Sequence, residues 1–99
     1  MPIAAVFEFP GQDLAQYRKV FEAGGSPIID QAQRLFHVCY SDGDGFTVVD
    51  VWEDEGAFAA FGEIIGPATA AAGLDARPKV FVVAGMITHD GRYSAYGPA

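Results

Sequence analysis

The stretch 46–61 changes its hydrophobic period halfway along. Its first half, Phe46-Thr47-Val48-Val49-Asp50-Val51-Trp52, is β-branched and aromatic, which suits a pleated, largely buried strand. In the second half Ala57, Phe58, Phe61, Ile64 and Ile65 recur at three and four residues, one stripe of a helix. Asp54 stands at the junction, where its carboxylate can accept from the free N–H groups of the first helical turn. A buried strand therefore passes almost without a loop into an amphipathic helix. The chain must layer helices on a sheet.

The flanking sequence extends this unit. Ile3–Phe9 alternates as a first strand, stopped by Pro10-Gly11. Asp13 with Gln16 resembles a capping box, and Leu14, Tyr17, Val20 and Phe21 form one helical face ended by Gly24-Gly25. The segment 26–33 has no firm pattern and reads as a loop. The segment 34–40 reads as a second strand, and Ser41-Asp42-Gly43-Asp44-Gly45 as a hairpin turn. Pro67 cannot donate to residue 63, so a break or kink is expected near Gly66, with a short continuation ending at Gly73. A fourth strand is expected over 80–87. The order strand, helix, strand, strand, helix, strand is the ferredoxin-like βαββαβ pattern of an α+β domain with a four-stranded antiparallel sheet. This domain is expected over 1–88, with a Gly-, Tyr- and Ser-rich tail over 89–99 that would pack on a partner or stay mobile.

Two helices cover one face of such a sheet. Yet both residue parities of the third strand are mostly apolar: Thr47, Val49 and Val51 in one set, Phe46, Val48, Asp50 and Trp52 in the other. An exposed apolar face of this size marks an interface, and the simplest solution is a two-fold homodimer with the sheets packed face to face.

Composition narrows the function classes. With thirteen acidic and six basic residues the formal net charge is −7, and the basic residues are scattered, so neither nucleic acid nor an anionic membrane surface is an expected partner. The single cysteine, Cys39, excludes an intramolecular disulfide and fits a reducing compartment. No apolar run approaches the ~20 residues of a membrane helix. No basic-then-apolar leader is present, so Met1 reads as the start and the cytoplasm as the expected location.

Phe7-Glu8-Phe9-Pro10-Gly11, Tyr17, Leu35-Phe36-His37-Val38, and Val49-Asp50-Val51-Trp52-Glu53 with Phe58 and Phe61 resemble the dimeric α/β-barrel superfamily, as do Gly66-Pro67 and Gly73-Leu74. The nearest branch is that of small bacterial proteins related to antibiotic-biosynthesis monooxygenases, and the resemblance covers roughly 2–87. It implies a homodimer with a small-molecule pocket between helices and sheet. The chain departs from the active branches. Oxygenases and haem-degrading relatives carry a functional asparagine near the first strand; this chain has no asparagine, and the comparable stretch is Val6-Phe7-Glu8. The haem-degrading enzymes' pocket tryptophan falls at Phe61 and their haem-ligating histidine at Ala71, which argues against haem. No sequence motif for a metal or another cofactor is present, and none is expected.

His37 is the titratable group best placed for chemistry. If Ser41 closes the hairpin against Phe46, His37 faces Asp50, which could fix its tautomer and raise its basicity. A register one residue different sets His37 opposite Val49 and the pair disappears. A His–Asp pair can also simply satisfy two buried polar groups. Glu8 is a candidate to share the site; Tyr17, Trp52 and Phe61 are candidate apolar walls, although packing alone explains their spacing. Cys39 reads as an inert buried thiol and His89 as solvated. Two functions remain open: a cofactor-independent monooxygenase or related isomerase acting on a small aromatic or polyketide-like compound, and a non-catalytic homodimeric module binding a small hydrophobic ligand or a partner protein.

Overall fold

The computed structural model describes residues 1–87 and the backbone of Ser94–Tyr96. Strands β1 (Ile3–Phe9), β2 (Arg34–Asp42), β3 (Gly45–Trp52) and β4 (Lys79–Val82) form one antiparallel sheet in the order β2-β3-β1-β4. Helices α1 (Leu14–Gly24), α2 (Ser26–Ile29) and α3 (Glu55–Ala71) complete the α+β, ferredoxin-like arrangement. This order places both long crossovers on the same side of the sheet.

The local signals behave as their chemistry requires. Asp13 accepts from Ala15 N at 2.8 Å while Gln16 Oε1 accepts from Asp13 N at 2.9 Å, closing the box at the start of α1. Gly25, at φ 69°, ends the helix with its N–H on Phe21 O. Asp54 accepts from Ala57 N at 2.8 Å and starts α3 two residues after the last residue of β3.

Register assigns the faces. Ile3, Ala5, Phe7 and Phe9 pair with Trp52, Asp50, Val48 and Phe46, and all eight are buried. Trp52 meets Phe61 of α3 with ring centroids 4.7 Å apart, and Phe9 meets Phe46 at 4.9 Å. The opposite face carries Phe36, Val38 and Tyr40 on β2 and Phe81 on β4, all exposed. The greasy outer face read from the sequence is present on the single chain.

Three segments depart from expectation. Residues 26–29 are not loop but the short helix α2, with Pro27 in its first turn, where a missing N–H costs nothing. Pro67 does not end α3, which is continuous to Ala71. Thr69 Oγ1 donates to Ile65 O at 3.0 Å and Gly66 O at 2.9 Å, and Ala68 and Thr69 are buried just past Pro67, so packing and these bonds oppose the proline penalty of about 3 kcal/mol. The expected fourth strand 80–87 is two strands: β4, and β5 (Gly85–Ile87), which leaves the main sheet and pairs with β6 (Ser94–Tyr96). The expected tail 89–99, with His89, lies outside the described residues apart from the backbone of β6.

Candidate functional site

The site begins at the β2–β3 hairpin. Asp42 pairs with Gly45 around Gly43-Asp44, and Gly43 takes φ 64°, which a glycine supplies without strain. Ser41 therefore pairs with Phe46 and His37 with Asp50. The alternative register, His37 against Val49, does not occur. Both side chains point to the helix face, where Asp50 is 4% exposed and its Oδ1 is hydrogen-bonded to His37 Nδ1. A carboxylate can only accept, so Nδ1 carries the hydrogen, and in the neutral imidazole Nε2 is left as an acceptor.

The third member comes from α1. Tyr17 Oη lies 2.6 Å from His37 Nε2, and the two rings stack at 10° with centroids 5.9 Å apart. The hydroxyl thus donates to Nε2. Burial, and after it the Cys39 and Asp50 charges, push the phenol above its ordinary 10.0, while Arg34 pulls it down. Tyr17 accordingly keeps its proton at neutral pH. The result is a chain Tyr17–His37–Asp50 leading from the helix layer to the sheet.

This chain borders a cavity of about 50 Å³ between helices and sheet, walled by Phe9, Val20, Phe46, Phe61 and Leu74. Arg34 also faces it. The Arg34 guanidinium is held by donation to Ile28 O at 2.8 Å and Ile29 O at 3.1 Å, and lies 5.6 Å from the ring centroids of both Trp52 and Phe61. The sequence did not mark Arg34. Its place at a bulge between Arg34 and Phe36, where the register shifts, is what turns it toward the helices.

The predicted residues separate accordingly. His37, Asp50, Tyr17 and Phe61 are brought together around the cavity. Trp52 is not a wall: it is fully buried behind Phe61, and its Nε1–H has no hydrogen-bond partner among the described residues. Glu8 is not at the site either. It pairs with Thr47, on the opposite parity from Phe7 and Phe9, and its carboxylate meets Lys79 Nζ at 3.1 Å on the outer face. Among the described residues no three His, Cys, Asp or Glu side chains cluster as metal ligands, and no helix is long and apolar enough to cross a membrane.

No family model and no curated protein matches the chain. Among solved structures it is similar to SnoaB, a cofactor-independent oxygenase from Streptomyces nogalater. The likeness to an asparagine-to-alanine mutant of SnoaB has a TM-score of 0.56 at 20% identity, covering 86% of this chain and 93% of that one. A second SnoaB structure matches with TM-score 0.56 and 20% identity over 83% of this chain and 90% of that one. At this identity the likeness shows the fold, which is the ferredoxin-like fold that the strand order displays.

Proposed function

We propose that this chain is a cofactor-independent oxygenase-like enzyme for a small phenolic or enolic compound, with His37 as its base. The observation that carries the reading is the buried Asp50–His37 pair, completed by Tyr17, beside an apolar cavity in a fold shared with a cofactor-independent oxygenase. Asp50 fixes the imidazole tautomer and stabilises the imidazolium that forms when Nε2 takes a proton. The substrate anion then gives electrons to dioxygen directly. Carbon–oxygen bond formation yields a peroxide anion, the imidazolium returns the proton, and loss of water from the hydroperoxide leaves a ketone. Dioxygen thereby supplies one oxygen atom to product and one to water, with all electrons drawn from the substrate.

The functional unit in this reading is a homodimer closed over the outer sheet face. Four large apolar side chains there, Phe36, Val38, Tyr40 and Phe81, are 37–55% exposed, a patch that a second copy would cover. A reducing, cytoplasmic setting suits the lone thiol.

The test is turnover of a panel of naphthols and anthrones with and without dioxygen. Oxygen-dependent product from wild type, lost in His37→Ala, is the expected result. Absence of turnover, or equal turnover by His37→Ala, overturns the proposal.

A further inference from the structure

We infer that the substrate sits in the pocket on the outer side of Tyr17, and that Tyr17 passes the substrate's proton to His37. This rests on the proposed role of His37 as base and adds to it a binding site and a substrate class. Size decides the location. The cavity beside His37 holds about 50 Å³, about a third of an engineered apolar cavity of about 150 Å³ that takes up benzene. A second pocket, of about 290 Å³, is lined by Leu14, Tyr17, Arg18, Phe21 and Cys39. Tyr17 and Phe21 belong to both, so they form the partition between them. Cys39 stands two residues beyond His37 on the same face of β2, which sets the outer pocket directly against the Tyr17–His37 contact.

Occupancy at Nε2 decides the route. The Tyr17 hydroxyl already takes the Nε2 lone pair at 2.6 Å, so a ligand in the outer pocket meets Tyr17 and not the imidazole. The phenol holds its proton at neutral pH, as a relay requires. The step balances: the ligand O–H bond breaks as its proton joins Tyr17 Oη, the Tyr17 O–H bond breaks as its proton joins Nε2, and the charges end on the ligand anion and the imidazolium. Tyr17 is unchanged overall.

The lining names the ligand class. Tyr17, Phe21 and Leu14 supply flat and aliphatic apolar surface, and exposed Arg18 forms no ion pair with any described side chain. A planar phenol bearing an anionic group at the edge turned toward Arg18 fits these walls.

The probes are 6-hydroxy-2-naphthoic acid and 2-naphthol. Affinity is read by fluorescence, the ionised fraction of bound probe by absorbance at fixed pH, and folding of each variant by circular dichroism. Wild type is expected to bind and ionise both, and bound probe to slow alkylation of Cys39 by iodoacetamide. Tyr17→Phe should bind within about twofold of wild type yet lose at least about tenfold in ionised fraction, matching His37→Ala. Arg18→Ala should weaken the naphthoic acid about fivefold and leave 2-naphthol unchanged. Full ionisation by Tyr17→Phe with loss in His37→Ala overturns the relay while His37 stays the base. Full ionisation by both variants overturns the base assignment itself. No binding by wild type, or alkylation of Cys39 unaffected by bound probe, overturns the outer seat. Equal loss of both probes in Arg18→Ala overturns the anionic substituent.

Discussion

The imidazole of His37 is held between two elements that meet only in the folded chain: Asp50 of β3 at Nδ1 and Tyr17 of α1 at Nε2, the latter at 2.6 Å. Asp50 can only accept, so in the neutral imidazole Nδ1 carries the hydrogen, Nε2 accepts from the Tyr17 hydroxyl, and the fold selects that tautomer. Asp50→Asn offers a donor as well as an acceptor, and the imidazole can then reverse. Nitrogen-15 NMR is expected to show one tautomer in wild type, protonated at Nδ1, and a mixture in Asp50→Asn. Turnover should fall about 10²- to 10⁴-fold. A single unchanged tautomer in the variant would refute the coupling.

Tyr17 also sets an alkaline limit. Its proton affinity is raised in the folded state, chiefly by burial, above the ordinary 10.0. Below pH 10.0 the phenol is protonated whether the chain is folded or not, and stability is independent of this group. Above it the unfolded chain releases the proton while the folded chain retains it, so stability falls as pH rises until the folded phenol also ionises. Cys39, raised by burial from 9.0, acts with the same sign from that pH upward. Tyr17→Phe should flatten the decline above pH 10.0 in urea-denaturation midpoints. An unchanged slope would show that Tyr17 is not protected.

Much of this was written in local chemistry. The glycine-rich hairpin turn was legible, and the outer apolar face followed from the two parities of β3, but the sequence left two registers open, and only the pairing of Asp42 with Gly45 selects the one that sets His37 against Asp50. Glu8 could have been placed from the same parity rule, because Phe7 and Phe9 face the helices and a strand alternates. The Tyr17–His37 contact was not legible. It depends on how far α1 slides over the sheet, which packing sets and no local pattern encodes. The short helix α2 was missed for a related reason: four residues are too few to show a helical period, and Arg34, which grips the Ile28 and Ile29 carbonyls, is distant from a helix-capping motif.

Arg34 ties α2 to the end of the sheet through that forked contact while its plane lies over Trp52 and Phe61. An ammonium keeps the charge but loses the fork and the stacking. Arg34→Lys is therefore expected to cost about 1–3 kcal/mol in urea unfolding, with Arg34→Ala costing more. A loss below the error of the measurement would make Arg34 a surface charge and not a strut.

The outer sheet face predicts an association state. Phe36 and Tyr40 are 52% and 48% exposed on the edge strand β2, with Val38 between them. A stable dimer of ordinary size covers about 800 Å² per partner. Sedimentation at micromolar concentration should give a dimer for wild type and a monomer for Phe36→Glu with Tyr40→Glu, since two buried unpaired carboxylates per protomer cannot be accommodated. A folded wild-type monomer would refute the arrangement.

Two glycines make contrasting demands on the frame that carries the site. At Gly24 an added methyl would stand 1.9 Å from Ile28 Cδ1, a side-chain end in α2 that can move. At Gly45 it would stand 2.2 Å from the backbone oxygen of Phe9 and 2.9 Å from Pro10 Cα, which cannot move without unzipping β1 from β3. Gly24→Ala should cost about 1–3 kcal/mol, and Ile28→Val in the same chain should recover part of it. Gly45→Ala should cost more, recover nothing from side-chain trimming, and also weaken the His37–Asp50 pair, because the strand start that sets their register is displaced. Thermal melts of the two alanine variants and the double variant check the order. Equal costs at the two positions would mean that the β1–β3 pairing yields as easily as an isoleucine side chain, and the rigid placement of Asp50 would no longer follow from the hairpin.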